Sequence, residues 1–89
     1  MRTFIAAAVQ VAPAPGPLSA ETVKANLEAC VEQVERCVAA TGAELVVLPE
    51  TATTGWNPGV DAEALWDLVS EVPGPVTAPL QDAAGRLGV

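Results

Sequence analysis

The stretch Gly42-Ala43-Glu44-Leu45-Val46-Val47-Leu48-Pro49-Glu50 decides the fold. Leu45 to Leu48 form an unbroken apolar run with no polar alternation. Such a run predicts a short strand covered on both faces, as in a sheet layered with helices. Pro49 closes it, because proline cannot donate to a strand ladder. Gly42, eight residues before Glu50, marks the end of whatever precedes the strand.

What precedes it is a helix. Val23, Leu27, Cys30, Val31, Val34, Cys37 and Val38 recur at steps of three and four, while Lys24, Glu28, Glu32, Glu35 and Arg36 fall off that stripe. This is the pattern of an amphipathic helix of about five to six turns. Ser19 is its expected N-cap, Glu21 complements the positive end of the dipole, and the helix is expected to end near Thr41 with Gly42 at C′. Further back, residues 4–11 (Phe-Ile-Ala-Ala-Ala-Val-Gln-Val) read as another buried strand. The proline-rich segment 12–17 is then a loop. Strand, helix and strand make a βαβ unit, with parallel strands and a right-handed crossover expected.

Beyond Glu50, residues 51–59 read as loop. Asp61 is placed to cap a short helix reaching about Ser70 and burying Leu65, Leu68 and Val69. Pro73-Gly74-Pro75 interrupts it, and Val76, Leu80, Ala83, Ala84 and Leu87 mark a last helix closed by Gly88. The fold class is therefore α/β, in the order β-α-β-α-α. The next strand should begin at Val89, so the expectation is a truncated domain.

Composition narrows the function. Apolar residues are 51% of the chain, more than a small free-standing domain usually carries, which points to a piece of a larger core. The net charge is −7 and the four basic residues are scattered, which argues against nucleic acid or an anionic membrane as partner. No apolar run approaches the roughly 20 residues a bilayer requires, and no signal peptide is recognisable. A cytoplasmic location is expected. Histidine is absent, which removes Ser–His–Asp and Cys–His chemistry and the commonest metal ligand. Cys30 and Cys37 would lie about 10.5 Å apart along a helix, beyond the roughly 7 Å that a disulfide spans between Cα atoms. They are expected to be core thiols.

Glu50 is the candidate for chemistry. It stands at the carboxyl end of a strand, the edge where ligands gather in α/β proteins. Taken alone, a glutamate after a proline is more often solvated or capping than catalytic. Its neighbourhood changes that balance. Gln10 closing the first strand, Asn26 in the helix, the segment from Gly42 to Glu50, and Thr54-Gly55-Trp56 together resemble the start of the nitrilase superfamily of carbon–nitrogen hydrolases. The resemblance covers nearly the whole chain, residues 1–89 being read as a partial carbon–nitrogen hydrolase domain.

That resemblance implies an αββα sandwich and a Glu–Lys–Cys catalytic set, of which Glu50 is the general base. It implies hydrolysis of a small amide, carbamoyl or nitrile substrate without metal or organic cofactor, in a homo-oligomeric parent. Thr53-Thr54-Gly55-Trp56 is closer to the amidase-like branches, although Trp56 stands where Tyr or Phe is more usual. Burial would raise a glutamate from its ordinary pKa of about 4.3 toward a thiol near 8.5, and a neighbouring ammonium would favour thiolate and oxyanion.

The family's lysine and cysteine lie further along than this chain reaches. Lys24, on the polar face of the helix, and Cys30 and Cys37, on its apolar stripe, do not replace them. Gln10 and Asn26 are read as structural, bonding to backbone. A dinucleotide-binding unit would need a glycine-rich turn after the first strand, and this loop has one glycine among prolines. Trp56 and Trp66 are read as packing rather than stacking groups. The competing reading is a catalytically inactive remnant or partner-binding module.

Overall fold

A computed structural model of the chain describes residues 2–55, 60–69 and 71–89. Its elements run β1 (Ala6–Ala8), α1 (Ala20–Thr41), β2 (Leu45–Val47), α2 (Ala62–Trp66) and α3 (Ala78–Leu87), in the expected order. β1 and β2 pair in parallel, with Ala6 opposite Leu45, Ala7 opposite Val46 and Ala8 opposite Val47. Flanking bonds extend the pairing: Glu44 N–H donates to the Ile5 carbonyl at 2.8 Å and Val9 N–H to the Val47 carbonyl at 2.9 Å. The regular part of β1 is nonetheless much shorter than the 4–11 run, because β2 gives it only three register partners.

α1 begins and ends where its sequence dictates. Ser19, extended at φ −155°, accepts from Thr22 N–H at 3.2 Å, and Thr22 Oγ1 accepts from Ser19 N–H at 2.9 Å. This reciprocal pair satisfies two donors that the first turn leaves orphaned. Gly42 closes the helix in the left-handed region (φ 70°), its N–H on the Val38 carbonyl. A residue with a Cβ would be strained there. The stripe buries Val23, Leu27, Cys30 and Val34, while Val31, Cys37 and Val38 are half-buried at its margin. α3 packs on α1 through Ala83, which is fully buried, and Arg86 of α3 reaches Glu35 of α1 at 2.7 Å.

The helices cover one face of the sheet. On the covered side Ala7, Val9, Val46 and Leu48 are half-buried; on the other, Phe4, Ala6, Ala8, Leu45 and Val47 are exposed. The expectation of strands covered on both faces is therefore corrected: these strands have one open apolar face. The expected helix from Asp61 to Ser70 is also corrected. Asp61 does cap, its carboxylate accepting Ala64 N–H at 2.8 Å, but α2 stops at Trp66. Leu65 and Val69 are exposed and Leu68 is only half-buried, since nothing described packs over this short turn. Ser70 lies outside the described residues. The total accessible surface is 6237 Å², against roughly 4,900 Å² for a self-contained protein of this mass. Phe4, Ile5, Leu45, Val47 and Trp66 are among the large apolar side chains that contribute to this surface.

Candidate functional site

Glu50 follows Pro49 at the carboxyl end of β2 and opens a tight turn. Ala52 N–H donates to the Pro49 carbonyl at 3.2 Å, and Thr54 and Gly55 N–H both donate to the Thr51 carbonyl, at 3.2 and 2.7 Å. Thr51 has φ 58°. A β-branched residue in the left-handed region is a backbone outlier that costs on the order of 1–3 kcal/mol and persists only where its surroundings impose it. The strained residue is the immediate neighbour of the candidate carboxylate.

Two side chains of α1 meet this turn from below. Asn26, 3% exposed, donates through Nδ2 to the Thr53 carbonyl at 2.8 Å and accepts Ala14 N–H at Oδ1, at 2.7 Å. It joins the Glu50 turn to the loop after β1, and its reading as a backbone-bonding residue holds. Cys30 is fully buried, its Sγ 3.9 Å from the Ala52 carbonyl oxygen. Burial pushes its thiol above the ordinary value of 9.0. Gln10 differs from its reading: it is exposed, and no hydrogen bond of its side chain is found among the described residues.

The other sequence candidates do not converge here. Lys24 is exposed on α1, and among the described residues no cation pairs with Glu50. Cys37 lies near the end of α1, its Sγ 3.9 Å from Thr41 Oγ1, and both cysteines are free. Glu50 itself is exposed. Trp56, invoked for the family pattern, lies outside the described residues, and Trp66 is 76% exposed, so it is not the packing group it was read to be. Among the described residues no cluster of three metal-ligating side chains occurs, and no helix is long and apolar enough to cross a membrane.

Two hollows matter for the site. A polar cleft of about 230 Å³ lies between the loop after β1 and the turn after β2, walled by Pro13, Gly16, Asn26, Thr54 and Gly55. A larger apolar groove of about 730 Å³ runs between α1 and the segment leading into α3, away from the strand ends. The catalytic candidate lines neither, so the chemistry must be judged from the strand end and not from cavity size. Sequence reading missed the strain at Thr51, and no residue-type signal marks it: threonine is a poor choice for a left-handed position.

A family model for carbon–nitrogen hydrolases matches residues 5–89. The chain belongs to the carbon–nitrogen hydrolase family, the nitrilase superfamily. Comparison with curated proteins and with solved structures returned no match in either.

Proposed function

We propose that the chain supplies the general base, Glu50, of a hydrolase acting on non-peptide carbon–nitrogen bonds. The carrying observation is that Glu50 leaves the carboxyl end of a parallel strand directly before a strained, clamped turn. Functional residues concentrate at such edges and strained turns. In the reaction, Glu50 takes the proton of a cysteine thiol, and the thiolate attacks the substrate carbon. An amide passes through a tetrahedral intermediate that collapses to a thioester as the protonated glutamate gives its proton to the departing amine. A nitrile takes that proton on nitrogen to become a thioimidate, which loses ammonia after water adds. Water, deprotonated by the same carboxylate, then releases the acid and restores the thiol.

The nucleophile and its lysine come from sequence this chain does not contain. Cys30 cannot serve, being sealed in the core with its thiolate disfavoured. Cys37 sits far along α1 from the strand end. The 89-residue chain by itself is accordingly inactive, a partial domain of an oligomeric parent. The substrate is a small amide or carbamoyl compound, the amidase-like branch being favoured by Thr53-Thr54-Gly55. No metal or organic cofactor takes part. Two free thiols suit a reducing compartment such as the cytoplasm. The test is Glu50→Gln in the complete hydrolase: loss of kcat with an intact fold supports the reading, and normal turnover overturns it.

A further inference from the structure

We propose that Asn26 is a positioning residue for Glu50, a buried strut that fixes the turn from Pro49 to Gly55 against the loop after β1. The inference rests on the reading of Glu50 as general base. Asn26 is the one buried polar side chain among the described residues, set in the apolar stripe between Val23, Leu27 and Cys30. A carboxamide in that place is costly unless both its ends are bonded. Both are, and to backbone of two different loops, 12 and 27 residues away in sequence.

The chemistry of the partners fixes how the amide faces. Oδ1 can only accept, so it meets Ala14 N–H; Nδ2 can only donate, so it meets the Thr53 carbonyl. Aspartate could keep the first bond but not the second, and leucine neither. The strut is needed because Thr51 would leave φ 58° if the turn were free. The Gly55-to-Thr51 bond closes the turn on itself. Asn26 ties it to the opposite loop, with which Thr54 and Gly55 wall the 230 Å³ cleft. Asn26 thus sets both the direction in which Glu50 leaves β2 and the separation of the two loops. A base that must meet a thiol within hydrogen-bond reach is sensitive to such placement.

The experiment compares Asn26→Asp and Asn26→Leu with wild type in the complete hydrolase, reading kcat, KM and the hydrogen exchange of the Thr54 and Gly55 amides. The expected result is a 10- to 100-fold fall in kcat, KM within about threefold, and faster exchange at Thr54 and Gly55 with the middle of α1 unchanged. Asn26→Asp leaves Ala14 protected, and Asn26→Leu releases it too. A folded Asn26→Asp with wild-type kcat or unaltered turn exchange overturns the proposal. Should neither variant fold, wild type still decides. The Asn26 side-chain amide and the Ala14 backbone amide must exchange slowly, and exchange at the rate of exposed groups overturns it. If Glu50→Gln retains activity, the reading of Glu50 fails, while the exchange data still report whether Asn26 holds the turn.

Discussion

Cys30 lies beneath the turn that begins at Glu50, its Sγ 3.9 Å from the carbonyl oxygen of Ala52. A thiol beneath the turn that carries a candidate catalytic carboxylate invites a nucleophilic role, and burial refuses it. Solvent and substrate cannot reach the sulfur, and the apolar surroundings disfavour the thiolate. Cys30 is instead part of the floor on which the turn rests.

Thiol labelling checks this. Iodoacetamide at pH 8 should modify the half-buried Cys37 while Cys30 reacts only as fast as the chain unfolds. A raised folded-state pKa also has a consequence for stability. Below the usual 9.0 both states hold the proton and the favourable contribution is complete; above it the unfolded chain releases the proton first, so stability falls as pH rises through the folded pKa. Denaturant midpoints should therefore decline as pH rises above about 9, and Cys30→Ala should remove the decline attributable to this residue. Equal labelling of both cysteines would show that the core around Cys30 is open.

Thr51→Gly should stabilise the fold and harm the proposed catalysis. Glycine adopts φ 58° without the Cβ penalty, which relieves about 1–2 kcal/mol. Its extra freedom in the unfolded chain offsets about 0.5–1 kcal/mol of that. The net gain of roughly 0–1.5 kcal/mol, at about 4–8 °C per kcal/mol for a unit of this size, is a Tm rise of up to about 10 °C. The same freedom loosens the residue next to Glu50, so kcat should fall while KM holds. A lowered Tm would mean that the Thr51 side chain makes a contribution larger than its strain.

Glu50→Gln separates chemistry from capping. Glutamine keeps the volume of glutamate and a carbonyl oxygen that accepts a backbone hydrogen bond, but it takes no proton. Loss of a general base typically costs 10²–10⁴-fold in kcat. A capping role predicts near-normal kcat with a slightly lower Tm instead. Steady-state kinetics and thermal unfolding of the same variant in the complete hydrolase distinguish the two.

The helical part of the fold was legible because periodicity and caps are local signals. Ser19 and Gly42 bound α1 where expected, and Gly88 closes α3. The parallel pairing followed from element order. Burial was less legible, since an apolar run states what the complete domain covers. Phe4, Ile5, Leu45 and Val47 read as core, yet each is exposed here. Leu65 and Val69 failed in the same way: their apolar spacing is real, but no described element covers α2. At the site, a carboxylate after a strand was visible in Leu48-Pro49-Glu50. The clamp was not, because it joins Asn26 to Ala14 and Thr53 through contacts that only folding creates.

The exposed sheet face should make the isolated chain self-associate despite its charge of −7. By register, Leu45 lies beside Ala6 and Val47 beside Ala8, and Phe4 shares their parity, so these side chains form one apolar surface. Each strand also presents an unpaired edge, a template for further pairing. Leu45 and Val47 are 48% and 55% exposed, so replacing them with lysine removes little packing inside the chain. The double variant Leu45→Lys/Val47→Lys should lower association while the α1–α3 packing, centred on Ala83, stays intact. Sedimentation velocity across a tenfold concentration range gives the answer: wild type should shift to larger species as concentration rises, and the variant should remain monomeric with unchanged helical circular dichroism. A wild-type chain that sediments as a monomer throughout and unfolds cooperatively would show a self-sufficient module. The inactive-module reading would then gain ground.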